Sequence, residues 1–175
     1  RTRNTQAELS LLLFHPKCAL LLPRGKSRNS FIFEAMKVRE VNGTQEVFDP
    51  VRKKYVKLTP EEKVRQQWIN YLHSELGYPL NLMEVERKVE VLGMSQRLDL
   101  LCRNHKAEMF LLIECKAPEV AINQKVFDQA ARYNTVLKAP YLLVSNGIDH
   151  FIAKIDFQEQ KHQFVEEIPP FNGEA

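Results

Sequence analysis

The stretch Phe110-Leu111-Leu112-Ile113-Glu114-Cys115-Lys116 decides how the rest of this chain is read. Four consecutive large apolar residues, preceded by the polar run 104–108, predict a strand buried on both faces, as at the centre of a sheet covered by helices. Such a strand has no place for ions along its length, yet this one ends on a carboxylate and an ammonium. Residues i and i+2 of a strand share a face, so Glu114 and Lys116 project together. Charges at the end of a buried strand are costly unless they are paired, ligated or solvated in a cleft.

The flanking sequence supplies the rest of the sheet. Upstream, 97–103 is a second strand, with Asp99 set between Leu98 and Leu100-Leu101. A third covers 83–91, where Met83, Val85, Val89 and Val91 alternate with Glu84, Glu86, Lys88 and Glu90. Before it, Thr59-Pro60-Glu61-Glu62 predicts a helix start, with Thr59 as cap, Pro60 in the first helical position and Glu62 closing a capping box. Val64, Trp68, Leu72 and Leu76 form the apolar stripe of that helix, and Gly77 with Pro79 ends it. Further upstream, Asn42-Gly43 predicts a tight turn between strands over 37–41 and 44–48, and Asp49-Pro50 turns the chain into an extended piece over 54–58. Downstream, 123–138 is a helix with Val126, Ala130, Tyr133 and Leu137 on one stripe. A buried strand over 141–144 follows, ending at Asn146-Gly147, and 151–155 with 162–166 form a last hairpin. From Thr59 the order is helix, three strands, helix, strand, hairpin. That order predicts an α/β (α+β) architecture, a single mixed central sheet flanked by helices.

Composition bounds the class. The 175 residues are 44% hydrophobic and 27% charged, which suits one domain with its own core and excludes collagen-like, wholly disordered and disulfide-scaffold chains. The net charge of +3 is unevenly placed: residues 1–40 hold eight basic against three acidic side chains, which leaves the remainder at −2. Cys18, Cys102 and Cys115 are widely spaced and have no zinc-ligand pattern, so reduced, buried thiols in a cytoplasmic protein are expected. The longest apolar run, 9–23, is broken by His15, Pro16 and Lys17 and is too short for a membrane span; no membrane partner is expected. Residues 1–35 have no sustained period and read as a poorly ordered or non-native extension, with a folded domain over 36–168 and a tail over 169–175.

Glu-x-Lys occurs four times, at Glu61/Lys63, Glu86/Lys88, Glu114/Lys116 and Glu159/Lys161, so the tripeptide by itself carries nothing. Setting separates the four. The first lies in a helical first turn, the second alternates with valines and is expected to face solvent, and the last sits in a polar turn. Only Glu114/Lys116 follows a buried strand. Asp99 repeats the anomaly on the preceding strand, so Asp99 and Glu114 can converge on one hard divalent cation, which takes a few carboxylates and keeps its waters. Lys116 beside them would orient or help deprotonate an attacking water. The competing explanation is a structural ion pair between Lys116 and one acid. Elsewhere, Gly25-Lys26-Ser27 lacks the upstream glycine of a phosphate-binding loop, and the five histidines form no pair at metal-ligand spacing.

Asp99 followed by Glu114-Cys115-Lys116 resembles the catalytic signature of the PD-(D/E)XK nuclease superfamily. Gln129-Ala130-Ala131-Arg132-Tyr133 is similar to the Gln-x-x-x-Tyr motif of its exonuclease-like branch, with Gln129 and Tyr133 on one helical face. Further stretches resemble the N-terminal nuclease domain of type I restriction enzyme R subunits, in a small stand-alone form. They are Phe48-Asp49-Pro50-Val51-Arg52-Lys53-Lys54-Tyr55-Val56, residues 59–66, Arg97-Leu98-Asp99, Glu114-Cys115-Lys116-Ala117-Pro118, residues 127–134, and Ser145-Asn146-Gly147. The resemblance covers roughly 40–155; residues 1–35 match nothing in that family, and these 175 residues contain no helicase motor. It implies the restriction-endonuclease-like fold, DNA as partner, and phosphodiester hydrolysis dependent on Mg²⁺, with Mn²⁺ as a substitute. It also implies Asp99, Glu114 and the backbone carbonyl of Cys115 as metal ligands, Lys116 as the water-orienting residue, and Gln129 and Tyr133 in support. Where the family has a first-helix glutamate near the metal, Glu62 or Glu61 is the candidate by position, although the capping box already explains Glu62.

Two functions follow. One is a metal-dependent deoxyribonuclease. The other is a non-catalytic nucleic-acid or partner-binding module on the same fold, against which the complete set of Asp99, Glu114 and Lys116 argues.

Overall fold

The computed structural model describes residues 36–91 and 93–171. The expectation for 1–35, the thiol of Cys18 and the end of the predicted tail lie outside the described residues. The elements in chain order are β1 (Val38–Val41), β2 (Thr44–Asp49), β3 (Lys54–Lys57), α1 (Pro60–Ser74), β4 (Met83–Val91), β5 (Met94–Arg103), β6 (Met109–Cys115), α2 (Gln124–Leu137), β7 (Tyr141–Ser145), β8 (His150–Asp156) and β9 (Lys161–Val165), with a single 3₁₀ turn over Leu80–Leu82.

The architecture is mixed α+β. The six strands β4 to β9 form one sheet in sequence order, antiparallel at every step except β6 beside β7. That parallel pair needs a crossover, and α2 supplies it. The apolar run 110–113 is therefore an interior strand, as its composition requires. Its residues alternate between two buried clusters: Leu111, Ile113 and Cys115 pack with Val64, Trp68, Ile69 and Leu72 of α1, while Leu112 packs with Phe127, Ala130 and Leu137 of α2. One helix thus covers each face.

The six strands after Thr59 form the expected single mixed sheet, and the first three strands stand outside it. β1, β2 and β3 form a separate three-stranded antiparallel sheet. β1 is exposed along its whole length, so it has no apolar face to offer the core. The small sheet is held by Val47, by the edge-to-face pair of Phe48 and Tyr55 with ring centres 5.3 Å apart, and by the Arg39 guanidinium lying 3.8 Å above the Tyr55 ring. The Asp49-Pro50 turn fastens it: the Asp49 carboxylate accepts hydrogen bonds from the backbone N–H groups of Val51 and Arg52, each at 2.8 Å.

β5 begins at Met94, three residues before the predicted strand, because it pairs with β4 along nearly its full length. That ladder breaks at one place. Val85 pairs with Leu100 and Arg87 with Leu98, but between them Glu86 takes a left-handed φ of 53°. Leu98 and Leu100, which a regular strand would keep on one face, fall into opposite apolar clusters. The kink lies at Asp99.

At the other end of the domain the predicted tail begins by packing. Tyr78 donates its hydroxyl to Pro169 O at 2.8 Å, Phe171 N–H donates to Leu76 O at 2.9 Å, and Ile168 is buried. No helix among the described residues is long and apolar enough to cross a membrane.

Candidate active site

Glu114, buried, and Lys116, partly buried, stand at the C-terminal end of β6, where the sheet stops and the chain turns toward α2. The Lys116 ammonium donates to Glu114 Oε1 at 2.7 Å, so the two side chains do share a face. One step beyond the last β5–β6 register pair, Leu100 opposite Ile113, Asp99 comes across from Glu114. Asp99 Oδ2 accepts the backbone N–H of Cys115 at 2.7 Å, which ties the two strand ends together. The backbone N–H of Lys116 in turn donates to Ser145 O on β7, and Ser145 Oγ lies 2.7 Å from His150 Nδ1 beneath it. The ammonium-bearing residue is thus fixed by its neighbours on both sides.

The electrostatics are those of a carboxylate cluster short of positive charge. Burial pushes the Glu114 carboxyl up to about 7, and the Asp99 charge pushes the same way, against the pull of Lys116. Lys116 is held above the usual lysine range: its own burial opposes this, but Glu114, Asp99 and Glu61 together outweigh it. Glu61 is raised by burial and by Asp99, with Lys116 and Arg65 acting in the opposite direction. Glu61, on the first turn of α1, therefore belongs to the same field as Asp99, Glu114 and Lys116. The Cys115 thiol is driven well above its ordinary range by burial and then by Asp99, so it is no nucleophile.

Glu62 is placed differently from the capping-box expectation. Thr59 Oγ1 does accept from Glu62 N–H at 3.1 Å, but the Glu62 carboxylate does not fold back onto the cap. It accepts from Arg52 Nη2 at 2.8 Å, from Gln66 Nε2 at 2.9 Å and from Arg65 Nη1 at 2.5 Å. Arg65 then reaches Asp99 Oδ1 at 2.6 Å. Glu86, expected to face solvent, instead lies 3.0 Å from Arg52 Nη1 and near Arg65 and Arg97. Sequence reasoning did not find Arg52, Arg65, Gln66 and Glu86 as members of one charge network. A signal for two of these partners was present: Arg65 and Gln66 stand with Glu62 at helical spacing in line with Ile69 and Leu72, so a polar stripe continues an apolar one into the core. A cleft of about 540 Å³ opens beside this network, lined by Arg52, Glu61, Glu62, Arg65, Glu86 and Ala117.

Gln129 and Tyr133 share a face of α2, with Gln129 Nε2 donating to the Tyr133 hydroxyl at 3.0 Å. The hydroxyl donates in turn to Gln96 Oε1 on β5 at 3.2 Å. Among the described residues their hydrogen bonds run to one another and to Gln96, not to Lys116. Tyr133 is also part of the apolar cluster, so the motif and the core share it.

The donor set fits a hard divalent cation. Asp99 and Glu114 are the carboxylates that could offer oxygen ligands, and Glu114 is held high first by its burial and then by the Asp99 charge. No three His, Cys, Asp or Glu side chains among the described residues are gathered closely enough to enclose an ion.

Residues 60–169 match the family model described as type I restriction enzyme R protein N terminus (HSDR_N). The chain belongs to that family. No curated protein matches the chain. Among solved structures it is similar to a fragment assigned as an HsdR subunit of a type I restriction enzyme from Vibrio vulnificus YJ016, with 19% identity and a TM-score of 0.46 over 64% of this chain and 24% of that one.

Proposed function

We propose that this protein is a metal-dependent nuclease module that hydrolyses phosphodiester bonds in DNA. The observation that carries this reading is the juxtaposition at the end of β6: Lys116 Nζ lies 2.7 Å from Glu114, with Asp99 across the strand boundary and bonded to Cys115 N–H. Membership of the type I restriction R-subunit family supports a restriction-related nuclease and makes DNA the substrate to test first.

In this reading Asp99 and Glu114, with the Cys115 carbonyl, hold Mg²⁺ or Mn²⁺, and Glu61 rather than Glu62 is the α1 acid near enough to assist. A bound cation supplies Lewis-acid stabilisation of the phosphoryl charge and a lowered pKa for attacking water. The chain's own residues do the positioning. Lys116, kept protonated by three carboxylates, presents a donor toward the incoming oxygen and the scissile phosphate. Cys115 N–H and Arg65 fix the Asp99 carboxylate, so it is oriented before any ligand arrives. Gln129 and Tyr133 support the site from α2, holding Gln96 of β5, the strand that also carries Asp99.

A second reading, a non-catalytic DNA- or partner-binding module, draws on the fact that both Asp99 oxygens already accept hydrogen bonds from the protein. One experiment separates the two: incubation with single-stranded, nicked and duplex DNA in Mg²⁺, with Lys116→Ala as control. Cleavage by wild type that Lys116→Ala loses, with unchanged circular dichroism, is the expected result. Equal activity in the two preparations, or none in either, refutes the catalytic assignment.

A further inference from the structure

The nuclease site accounts for Asp99, Glu114 and Lys116 but not for the buried charges behind them, nor for the segment Phe48-Asp49-Pro50-Val51-Arg52 that precedes α1. These belong together. Asp49, fully buried, binds Arg52 Nε through Oδ2 at 2.5 Å and Gln66 Nε2 at 2.9 Å. Arg52 Nη2 passes to Glu62 Oε1 at 2.8 Å, Glu62 Oε2 to Arg65 Nη1 at 2.5 Å, and Arg65 Nη2 to Asp99 Oδ1 at 2.6 Å. Charges alternate without a gap from the small sheet, through α1, to the carboxylate on β5. Gln66 braces the middle by bridging Asp49 and Glu62.

We propose that Asp49, Arg52, Glu62 and Arg65 are a positioning relay for Asp99, so that the three-stranded sheet is part of the active-site machinery and not an appendage. This rests on the nuclease reading for its purpose, though not for its geometry. Three features support it. Arg65 lies almost wholly buried, with its Nε the one buried side-chain polar atom among the described residues that lacks a partner. Its guanidinium is turned so that both terminal nitrogens serve carboxylates, one of them Asp99. The backbone kink at Glu86 and Asp99, with Glu86 held at φ 53°, lets Asp99 leave the regular strand direction and meet a residue of α1. Finally, the cations are shared: Arg52 serves Asp49, Glu62 and Glu86, and Arg65 serves Glu62 and Asp99, so removal of one forces the acids it served to compete for the other. Loss of Arg52 leaves Glu62 drawing Arg65 away from Asp99.

Two measurements on the full chain test the relay. The first is a double-mutant cycle between Arg52→Gln and Asp99→Asn, read as urea unfolding. Arg52 and Asp99 share no bond, yet Arg52→Gln should lower the folding equilibrium constant at least fivefold more in wild type than in Asp99→Asn. In that background Arg65 is already free to serve Glu62. The second is calorimetric titration with Mn²⁺: Arg52→Gln should weaken binding about tenfold or more, the usual effect of losing a partner that orients a ligand. Arg52→Lys keeps the charge but cannot reach Asp49, Glu62 and Glu86 at once, so its affinity should fall between the two. Should Arg52→Gln fail to fold, Arg52→Lys carries both arms. Effects that add within twofold in the cycle overturn the relay, as does an unchanged Mn²⁺ affinity in Arg52→Gln when wild type binds Mn²⁺. Wild type that neither binds Mn²⁺ nor cuts DNA refutes the nuclease reading instead, and the cycle still decides the relay.

Discussion

Glu114→Gln should make the protein more stable at alkaline pH, and only there. In the folded chain burial, reinforced by Asp99, lifts the Glu114 carboxyl from 4.5 to about 7, despite the 2.7 Å contact with Lys116. An acid with a raised folded pKa binds more protons folded than unfolded between those two values. Stability attributable to it is therefore full below about 4.5, falls as pH rises toward 7, and stays low above. Each pH unit between the two titrations corresponds to about 1.4 kcal/mol, so ionised Glu114 disfavours the native state by roughly 3 kcal/mol. Glutamine keeps the shape and one hydrogen-bonding oxygen and removes the charge, so Glu114→Gln should recover that amount. For a chain of this length the gain is a rise in Tm of about 6–12 °C. The assay is urea unfolding of both proteins in chelator-treated buffer at pH 8.5 and pH 4.5, with slopes compared to exclude a change in the unfolded ensemble. The difference between the two proteins cancels the titrating groups remote from Glu114, and what remains belongs to Glu114 with the groups it interacts with, Asp99, Lys116 and Glu61. A variant no more stable than wild type at pH 8.5, or equally favoured at both pH values, would refute the reasoning that burial and Asp99 dominate over Lys116.

The same surplus of negative charge predicts a response to metal. Mg²⁺ or Mn²⁺ at a hundred times its dissociation constant should stabilise wild type by about 2.7 kcal/mol, seen as a Tm rise, and Asp99→Ala or Glu114→Ala should lose that rise. Asn134 is fully buried in α2 and clasps Ala139 twice, donating to its carbonyl at 2.7 Å and accepting its N–H at 2.9 Å. Asn134→Ala strands both groups in the crossover between α2 and β7 and should cost about 2–4 kcal/mol in urea unfolding. Gly147 sits at φ 84°, and an added Cβ would meet Val64 Cγ2 of α1 at 3.0 Å. Gly147→Ala should lower the unfolding free energy by roughly 1–2 kcal/mol, seen as a lower urea midpoint with an unchanged slope, and no change would mean the turn after β7 is free to shift off the helix.

The elements were legible because each carried a local signal. The Thr59-Pro60 start, the alternation over 83–91 and the apolar run 110–113 mark a helix, a half-exposed strand and an interior strand without any long-range information. The convergence of Glu114 and Lys116 was legible for the same reason, since strand periodicity alone sets it. The rest was not local. That β1 to β3 form their own sheet depends on how little apolar surface β1 has, and on Asp49 closing its turn, rather than on any strand's own pattern. Glu86 looked like one more exposed member of an alternating strand, because nothing in Val-Glu-Arg announces a left-handed residue. Glu62 had a sufficient local explanation as a cap, and that explanation concealed its partners: Arg52 lies ten residues away and the connection to Asp99 runs through Arg65, thirty-four residues from it. Motif spacing finds the groups that share an element. It does not find the counter-ions that other elements bring to them.

That distinction bears on where the functional unit begins. The family match starts at Pro60, after β1 to β3, and a fragment cut there would keep α1, the six-stranded sheet and every residue of the signature. It would lose Asp49 and Arg52. Glu62 would then keep Arg65 and Gln66 but not the cation that releases Arg65 to Asp99, and Gln66 would lose one of its two acceptors. A buried ion pair broken by removing one partner costs several kcal/mol, because the remaining charge stays desolvated. The chain has two ways to relieve that cost: Arg65 turns fully to Glu62 and abandons Asp99, or α1 lifts its first turn into water. Either one disorders the carboxylate that the signature depends on. A chain beginning at Pro60 should therefore retain the helical circular dichroism of α1 and α2 but bind Mn²⁺ more weakly than a chain beginning at Met36. Equal binding by the two would show that the site is complete without the small sheet, and the charges linking them would then be only structural.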